Sequence, residues 1–253
     1  MKGVILAGGT GSRLFPLTRV TNKHLLPVYN KPMIFYPLKT LVSAGIRDIL
    51  IVTGGNSAGD FLRLLRNGND FGLQRLNYAY QEGEAGIADA LRLAEDFADG
   101  QKICVVLGDN IISGSIAHAR SSFERQDGAK ILLKEVSDPE RFGVPVFEGG
   151  RIVAIEEKPA CPKSKYAVIG IYFYDNTVFE RIRRLSPSAR AEYEITDVNN
   201  SYLADGKLQY DVLDGWWTDA GTFESLWRAT SLVREEAVER TLEPEPLWAR
   251  KIG

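Results

Sequence analysis

The sequence predicts an α/β fold with a doubly wound, mostly parallel central sheet. Two observations carry this. Up to residue 110, short apolar runs bounded by turn residues alternate with segments of helical periodicity. The runs are apolar throughout rather than alternating, as strands covered on both faces are.

Val4–Ala7 is the first such run, ending in glycines. Ile34–Ala44 repeats its apolar residues at helical spacing through Ile34, Leu38, Leu41 and Val42. Asp48–Thr53, with Ile-Leu-Ile-Val at its centre, is a second buried strand, and Gly59–Arg66 a helix. Arg75–Tyr80 alternates as a third strand, and Ile87–Phe97 forms one amphipathic helix. Lys102–Leu107 is a fourth strand, closed by Gly108-Asp109-Asn110. The order β-α-β-α-β-α-β puts helices on both faces of the sheet.

Strands dominate afterwards: Lys130–Val136, Phe142–Phe147, Arg151–Glu157 and Tyr166–Tyr174, with a hairpin turn over Phe147–Arg151. Pro145 implies an edge position or a bulge. Thr177–Arg184 and Ile195–Asp205 read as helices, Lys207–Leu213 as a strand, Thr222–Val238 as a closing helix and Glu239–Gly253 as an extended tail. With no internal repeat, low-complexity stretch or linker, the expectation is a single domain over 1–253.

The formal charge of −2 gives no global field for nucleic acid or an anionic membrane, so an anionic ligand needs a local cluster of positive groups. No run reaches the ~20 apolar residues of a membrane span, and the apolar start after Lys2 is too short for a secretory signal, so a cytoplasmic location is expected. Cys104 sits within an apolar strand, and Cys104, Cys161, His24 and His118 have no zinc spacing.

The chemistry begins in the loop after the first strand, Leu6-Ala7-Gly8-Gly9-Thr10-Gly11-Ser12-Arg13-Leu14. Residues without Cβ let backbone N–H groups wrap an anion, and Arg13 and Lys23 add positive charge. No Gly-Lys-Ser/Thr follows, and Gly9-x-Gly11-x-x-Leu14 lacks the third glycine of a dinucleotide fingerprint. On its own this loop is equally a tight turn. Asp109 at a strand end is, on the same footing, a helix or turn cap.

The longer run Gly8–Ile34 resembles the signature of the sugar nucleotidyltransferase family: G-G-x-G-[ST]-R-L, P-x-T, K-x-L-L-P-V and K-P-M-I. The likeness continues to about Arg228 through Gln81 with Gly86-Ile87-Ala88, Gly108-Asp109-Asn110, Arg141-Phe142-Gly143-Val144, Glu156-Glu157-Lys158-Pro159, Val168–Tyr172, Arg190–Asp197 and Gly215–Thr222. It implies a Rossmann-like nucleotidyltransferase fold with an inserted sugar-binding sheet region, residues 1–110 mainly nucleotide-binding and 111–238 mainly sugar-phosphate-binding.

The resemblance also assigns roles. Leu6, Gly8, Gly9, Gly11, Gln81, Gly86 and Asp109 would bind the nucleotide. Asn110, Gly143, Glu157, Lys158, Val168, Tyr172, Arg190 and Glu192 would bind the sugar phosphate. Arg13, Lys23 and Lys158 would be catalytic, and Asp109 and Asp219 would ligate Mg²⁺. The implied substrates are dTTP and glucose 1-phosphate, with no nucleic acid and no membrane partner. Longer dTTP-using members carry C-terminal helices for a regulatory nucleotide site and subunit contacts. Neither is carried over to this shorter chain, and a homo-oligomer stays open.

His24 stands where the family has Gln and is given no chemistry, and Phe142 replaces Tyr. Two alternatives stay open. One is the same chemistry with another nucleotide, such as UTP, or another sugar phosphate. The other is a catalytically silent sugar-nucleotide-binding module, which should have lost central charges that this chain keeps at Arg13, Lys23, Asp109, Lys158 and Asp219.

Overall fold

A computed structural model of the chain describes residues 1–239. In chain order the elements are β1 (Lys2–Ala7), β2 (Pro27–Val28), β3 (Lys31–Pro32), α1 (Phe35–Ser43), β4 (Asp48–Gly54), α2 (Ala58–Leu65), β5 (Arg75–Gln81), α3 (Ile87–Arg92), α4 (Glu95–Ala98), β6 (Ile103–Leu107) and β7 (Asn110–Ile112). There follow α5 (Ala117–Phe123), β8 (Ala129–Glu135), β9 (Gly143–Glu148), β10 (Arg151–Glu157), β11 (Tyr166–Tyr174), α6 (Val178–Arg183), α7 (Ile195–Ala204), β12 (Leu208–Val212), β13 (Trp217–Asp219) and α8 (Phe223–Glu239). The tail expected from Glu239 onward lies outside the described residues, save Glu239 itself, which ends α8.

β5, β4, β1 and β6 lie side by side and all parallel. β11 then joins β6 antiparallel and carries the sheet onward to β8 and β12 on one path and to β9 and β10 on the other, nine strands in all. Alternation along β1 divides the core. Val4 and Leu6 pack toward α3, α6 and α7, while Ile5 and Ala7 pack toward α1, α2 and α5. Both faces are thus covered, which is why these strands read as continuous apolar runs.

The ends of β1, β5 and β6 meet at one edge, where ligands sit in open α/β sheets. β11 is the second organiser. Val168 pairs Gly143 of β9, whereas Ile171–Tyr174 pair β6, so the strand changes neighbours at Gly170. A Cβ there would stand 2.7 Å from Leu107 and from the Asn110 amide, so only glycine lets β6 and its continuation seat this close. Pro145 lies past that single β9–β11 pair, on a stretch where β9 has β10 as its only strand partner, as an edge proline must.

Several elements differ from the sequence expectation. The helix over Ile87–Phe97 is broken into α3 and α4, because Leu93 and Ala94 close tight turns onto Ala90 and Leu91 instead of continuing the α ladder. The helix α5, the two-residue ribbon β2–β3 and the ribbon β7–β13 were not expected. In β7–β13, Asp219 lies opposite Asn110.

Asp175, at the end of β11, ties three elements together. Its carboxylate accepts from the Gly128 N–H at 2.7 Å, from Thr177 Oγ1 at 2.6 Å and from the Tyr202 hydroxyl at 2.9 Å. Burial raises its pKa, but these donors outweigh burial and hold it below the ordinary value. A depressed folded pKa gives stability that is present above the unfolded value of about 3.9 and is lost as pH falls through the folded value. Asp175→Asn should therefore cost about 1–3 kcal/mol at pH 7 and progressively less below pH ~4. Urea denaturation at both pH values checks this, and a pH-independent difference would refute it.

Candidate active site

One cleft of about 500 Å³ opens at the strand ends. Every residue assigned above to nucleotide, sugar phosphate, metal or catalysis lines it.

The loop after β1 forms its floor. A 3-10 turn over Ser12–Leu14 ends it, anchored by the fully buried Leu14. Thr18 Oγ1 donates to Gly11 O at 2.9 Å, and a Cβ on Gly11 would come 2.8 Å from the Thr18 methyl and 3.1 Å from Lys23. The loop is therefore packed against the segment that carries Lys23. Asn22 fixes that segment in turn: its amide donates to Ala7 O, and its oxygen accepts from His24 N–H.

Lys23 Nζ lies 2.6 Å from Asp109 Oδ2, with both side chains mostly buried. Burial pulls the Asp109 pKa upward, but the Lys23 charge and the hydrogen bonds from Lys23 and Asn110 overcome it and hold the carboxyl well below the usual range. Burial pushes His24 down to about 3, with Lys23 acting in the same direction. Its Nδ1 lies 2.7 Å from Asn22 Oδ1, so the ring braces the segment that carries Lys23.

The second carboxylate comes from β13. Arg141 spans Asp219 and Asp138, at 3.1 Å from Asp219 Oδ2 and 2.7 Å from Asp138 Oδ2. Gly221 locates the centre. From the point where its Cβ would be, Arg13 Nη2 is 3.2 Å away, Asp219 Oδ2 3.2 Å and Asp109 Oδ2 3.5 Å. Two carboxylates and a guanidinium thus converge beside the Gly-rich loop.

Gln81, buried at the end of β5, lines the cleft beside Gly8, with Leu6, Gly86 and Ile87 also in the lining. Glu157, also in the lining, accepts from Thr196 Oγ1 at 2.6 Å and from Arg190 at 3.2 Å, with Lys158 Nζ 3.4 Å away. Lys158 is held at φ 45, a costly conformation for a side-chain-bearing residue that its backbone bond to Phe142 O supports. Arg190 is set among Glu157, Glu192 and Glu194. Gly143, Val168 and Tyr172 form the wall.

Asn110 lines the cleft and is also tied into the fold around it. Its Oδ1 accepts from Gly170 N–H and from Trp217 Nε1, and its Nδ2 donates to Asp109 Oδ1 at 3.0 Å. It is buried and holds Asp109 in position. Trp217 in turn stands edge-on to Phe142 at 5.0 Å.

Arg141, Thr196, Trp217 and Glu84 also line the cleft, without an expected role from the sequence. The first three lie within or beside quoted motifs, but their roles come from contacts across the fold. Glu84 carries no motif signal. Its carboxylate accepts from the Thr10 N–H, so an acid already occupies a donor of the Gly-rich loop. An anion taking up that N–H would have to displace it. Because the contact is exposed and worth up to about 1 kcal/mol, Glu84→Gln should lower the nucleotide KM by up to about five-fold with kcat unchanged. Initial-rate kinetics check this, and a raised KM would show that Glu84 helps binding instead.

The profile of the Nucleotidyl transferase family matches residues 2–236. A glucose-1-phosphate thymidylyltransferase of Neisseria meningitidis is 49% identical over 92% of this chain and 83% of its own. One from Mycolicibacterium smegmatis is 48% identical, over 92% and 82%. The crystal structure of a putative glucose-1-phosphate thymidylyltransferase from Bacillus anthracis in complex with a sucrose superposes with a TM-score of 0.91 at 50% identity, covering 98% of this chain and 99% of that one. A UDP-glucose pyrophosphorylase complexed with UDP-glucose, at 23% identity and a TM-score of 0.81 over 93% of this chain and 98% of its own, shares the fold. Among the described residues no helix is long and apolar enough to cross a membrane. By sequence and by fold, this chain belongs to the nucleotidyl transferase family.

Proposed function

We propose that the cleft transfers a thymidylyl group from dTTP to glucose 1-phosphate, giving dTDP-glucose and pyrophosphate. The observation that carries this reading is the convergence of Arg13, Asp109 and Asp219 on one point in a cleft that Gln81, Glu157 and Lys158 also line. The relatives named for this activity support the choice of substrates.

A phosphate oxygen of the sugar phosphate attacks the α-phosphorus of the nucleotide. That bond forms as the bond from the α-phosphorus to the β-phosphate oxygen breaks, and pyrophosphate leaves with the electron pair. A phosphate monoester has its second pKa near 6, so the nucleophile is largely dianionic at neutral pH and needs no general base. The obstacle is the meeting of two anions. Arg13 and Lys23 supply fixed positive charge along the triphosphate, Lys158 draws in the sugar phosphate, and Glu157 accepts from sugar hydroxyls. None of these groups has to move a proton.

The donor set fits Mg²⁺. Asp109 and Asp219 are hard oxygen ligands flanking one point, and among the described residues no group of three His, Cys, Asp or Glu competes as a softer or fuller site. Mg²⁺ is commonly held by one or two carboxylates, with phosphate oxygens and waters completing its shell. When bound there it would supply Lewis-acid neutralisation of phosphate charge. Until then Lys23 and Arg141 balance the two carboxylates.

The test is pyrophosphate release from purified protein with glucose 1-phosphate, Mg²⁺ and, separately, dTTP, UTP, CTP, ATP and GTP. Fast release with dTTP is the expected result. Release with none of the five overturns the proposal.

A further inference from the structure

We propose that Asp89, which does not itself line the cleft, is a positioning residue for base selectivity, because it decides which end of the Gln81 carboxamide faces the nucleobase. The inference rests on reading the part of the cleft lined by Gln81 as the base site.

A glutamine carboxamide offers a donor at one end and an acceptor at the other, in nearly the same shape. Left to rotate, it can pair with an acceptor or with a donor on a base edge, and it discriminates poorly. Gln81 is not left to rotate. Its Nε2 donates to Asp89 Oδ2 at 3.0 Å. A carboxylate can only accept, so only the NH₂ end of the amide can turn toward Asp89. The orientation of the amide therefore follows from its chemistry.

Asp89 is itself fixed. It sits in the first turn of α3 with a side chain 12% exposed, and its other oxygen accepts from Arg92 Nη2 at 2.9 Å. On the opposite side, the Gln81 oxygen lies against Gly8, where a Cβ would come within 2.8 Å of it. Asp89 thus holds the nitrogen end, and Gly8 leaves room for the oxygen end beside the Gly-rich loop. Gln81 is only 5% exposed, so a mismatched partner could not readily be replaced by water.

An acceptor presented in this way suits a pyrimidine with a ring N–H, as at N3 of thymine or uracil. It opposes cytosine, whose N3 is itself an acceptor. Rejecting a base by stranding or opposing a buried polar group is far more effective than rejecting it by a methyl group. The discrimination assigned to this pair is therefore thymine and uracil against cytosine, not thymine against uracil.

The experiment compares kcat/KM for dTTP and dCTP in the wild type, Gln81→Ala, Asp89→Asn and Asp89→Ser, with dTDP and dCDP affinities by calorimetry as a readout independent of turnover. Asn and Ser can each accept or donate, so both leave the Gln81 amide free to flip. The expected result is that the dTTP/dCTP preference falls at least ten-fold in both Asp89 variants, with dCDP binding gained and not merely dTDP binding lost. A purely structural role for Asp89 in α3 would weaken both nucleotides equally and leave their ratio unchanged, which overturns the proposal. If Gln81→Ala collapses the preference while the Asp89 variants keep it, Gln81 reads the base without help and only this inference falls. If none of the three changes the ratio, the base-site reading falls with it.

Discussion

Lys23→Ala is expected to lower kcat by about 100-fold or more, the scale for losing one preorganised electrostatic group. Lys23 has two tasks. In the proposed reaction it is a fixed charge for the triphosphate, and in the structure it compensates Asp109 at 2.6 Å. Without it, the buried Asp109 carboxyl loses the main influence opposing desolvation. Breaking such a pair from one side costs about 3–5 kcal/mol, so the variant must be shown folded before its rate is read. Asp109→Asn attacks the same unit from the other side: the amide is a poor ligand for a hard cation and leaves Lys23 unbalanced. If the pair works as one unit, the double variant should lose little more than either single variant, whereas independent losses would multiply. Pyrophosphorolysis should fall in parallel with synthesis, since both directions share one transition state. Turnover within ten-fold of wild type in a folded Lys23→Ala would remove both residues from the catalytic account.

The core of the fold was legible in the sequence because its chemistry is local. β1, β4 and β6 are buried on both faces, and their runs show it without help from partners. Gly8–Ile34 was legible because a backbone cradle restricts the residues that can form it. The ribbon β7–β13 was not legible. Each strand is three residues long, too short to show a period, and neither exists without the other some hundred residues away. Yet this ribbon brings Asp109 and Asp219 to one point. The contacts of Glu84 with Thr10 and of Arg141 with Asp219 are likewise tertiary. Asn110 adds a tertiary layer to a visible motif. Its motif was visible, but only the fold reveals that its oxygen is spent on Gly170 and Trp217.

Gly86→Ala is expected to be the most damaging small substitution near the cleft. Gly86 adopts φ 100 and ψ 175, a region open essentially only to glycine and costing about 1–3 kcal/mol for other residues. A Cβ there would also stand 2.7 Å from Tyr193 O and 2.8 Å from Tyr193 N. Both are backbone atoms, and both are already engaged: Tyr193 N–H donates to Ala85 O and Ala88 N–H to Tyr193 O. The clash cannot be relieved by a side-chain rotation, and overpacking of this kind adds about 1–3 kcal/mol. At roughly 2–4 °C per kcal/mol for a chain of this size, the melting temperature should fall by about 10 °C. Because α3 starts at Ile87 and carries Asp89, the nucleotide KM should rise with it. Gly83→Ala is the control. It also has positive φ, at 75, but nothing lies within 4 Å of its added Cβ. Its cost should stop at the conformational ~1–2 kcal/mol. Equal losses in the two variants would mean that strain alone matters and that the Tyr193 contact does not hold this wall of the cleft.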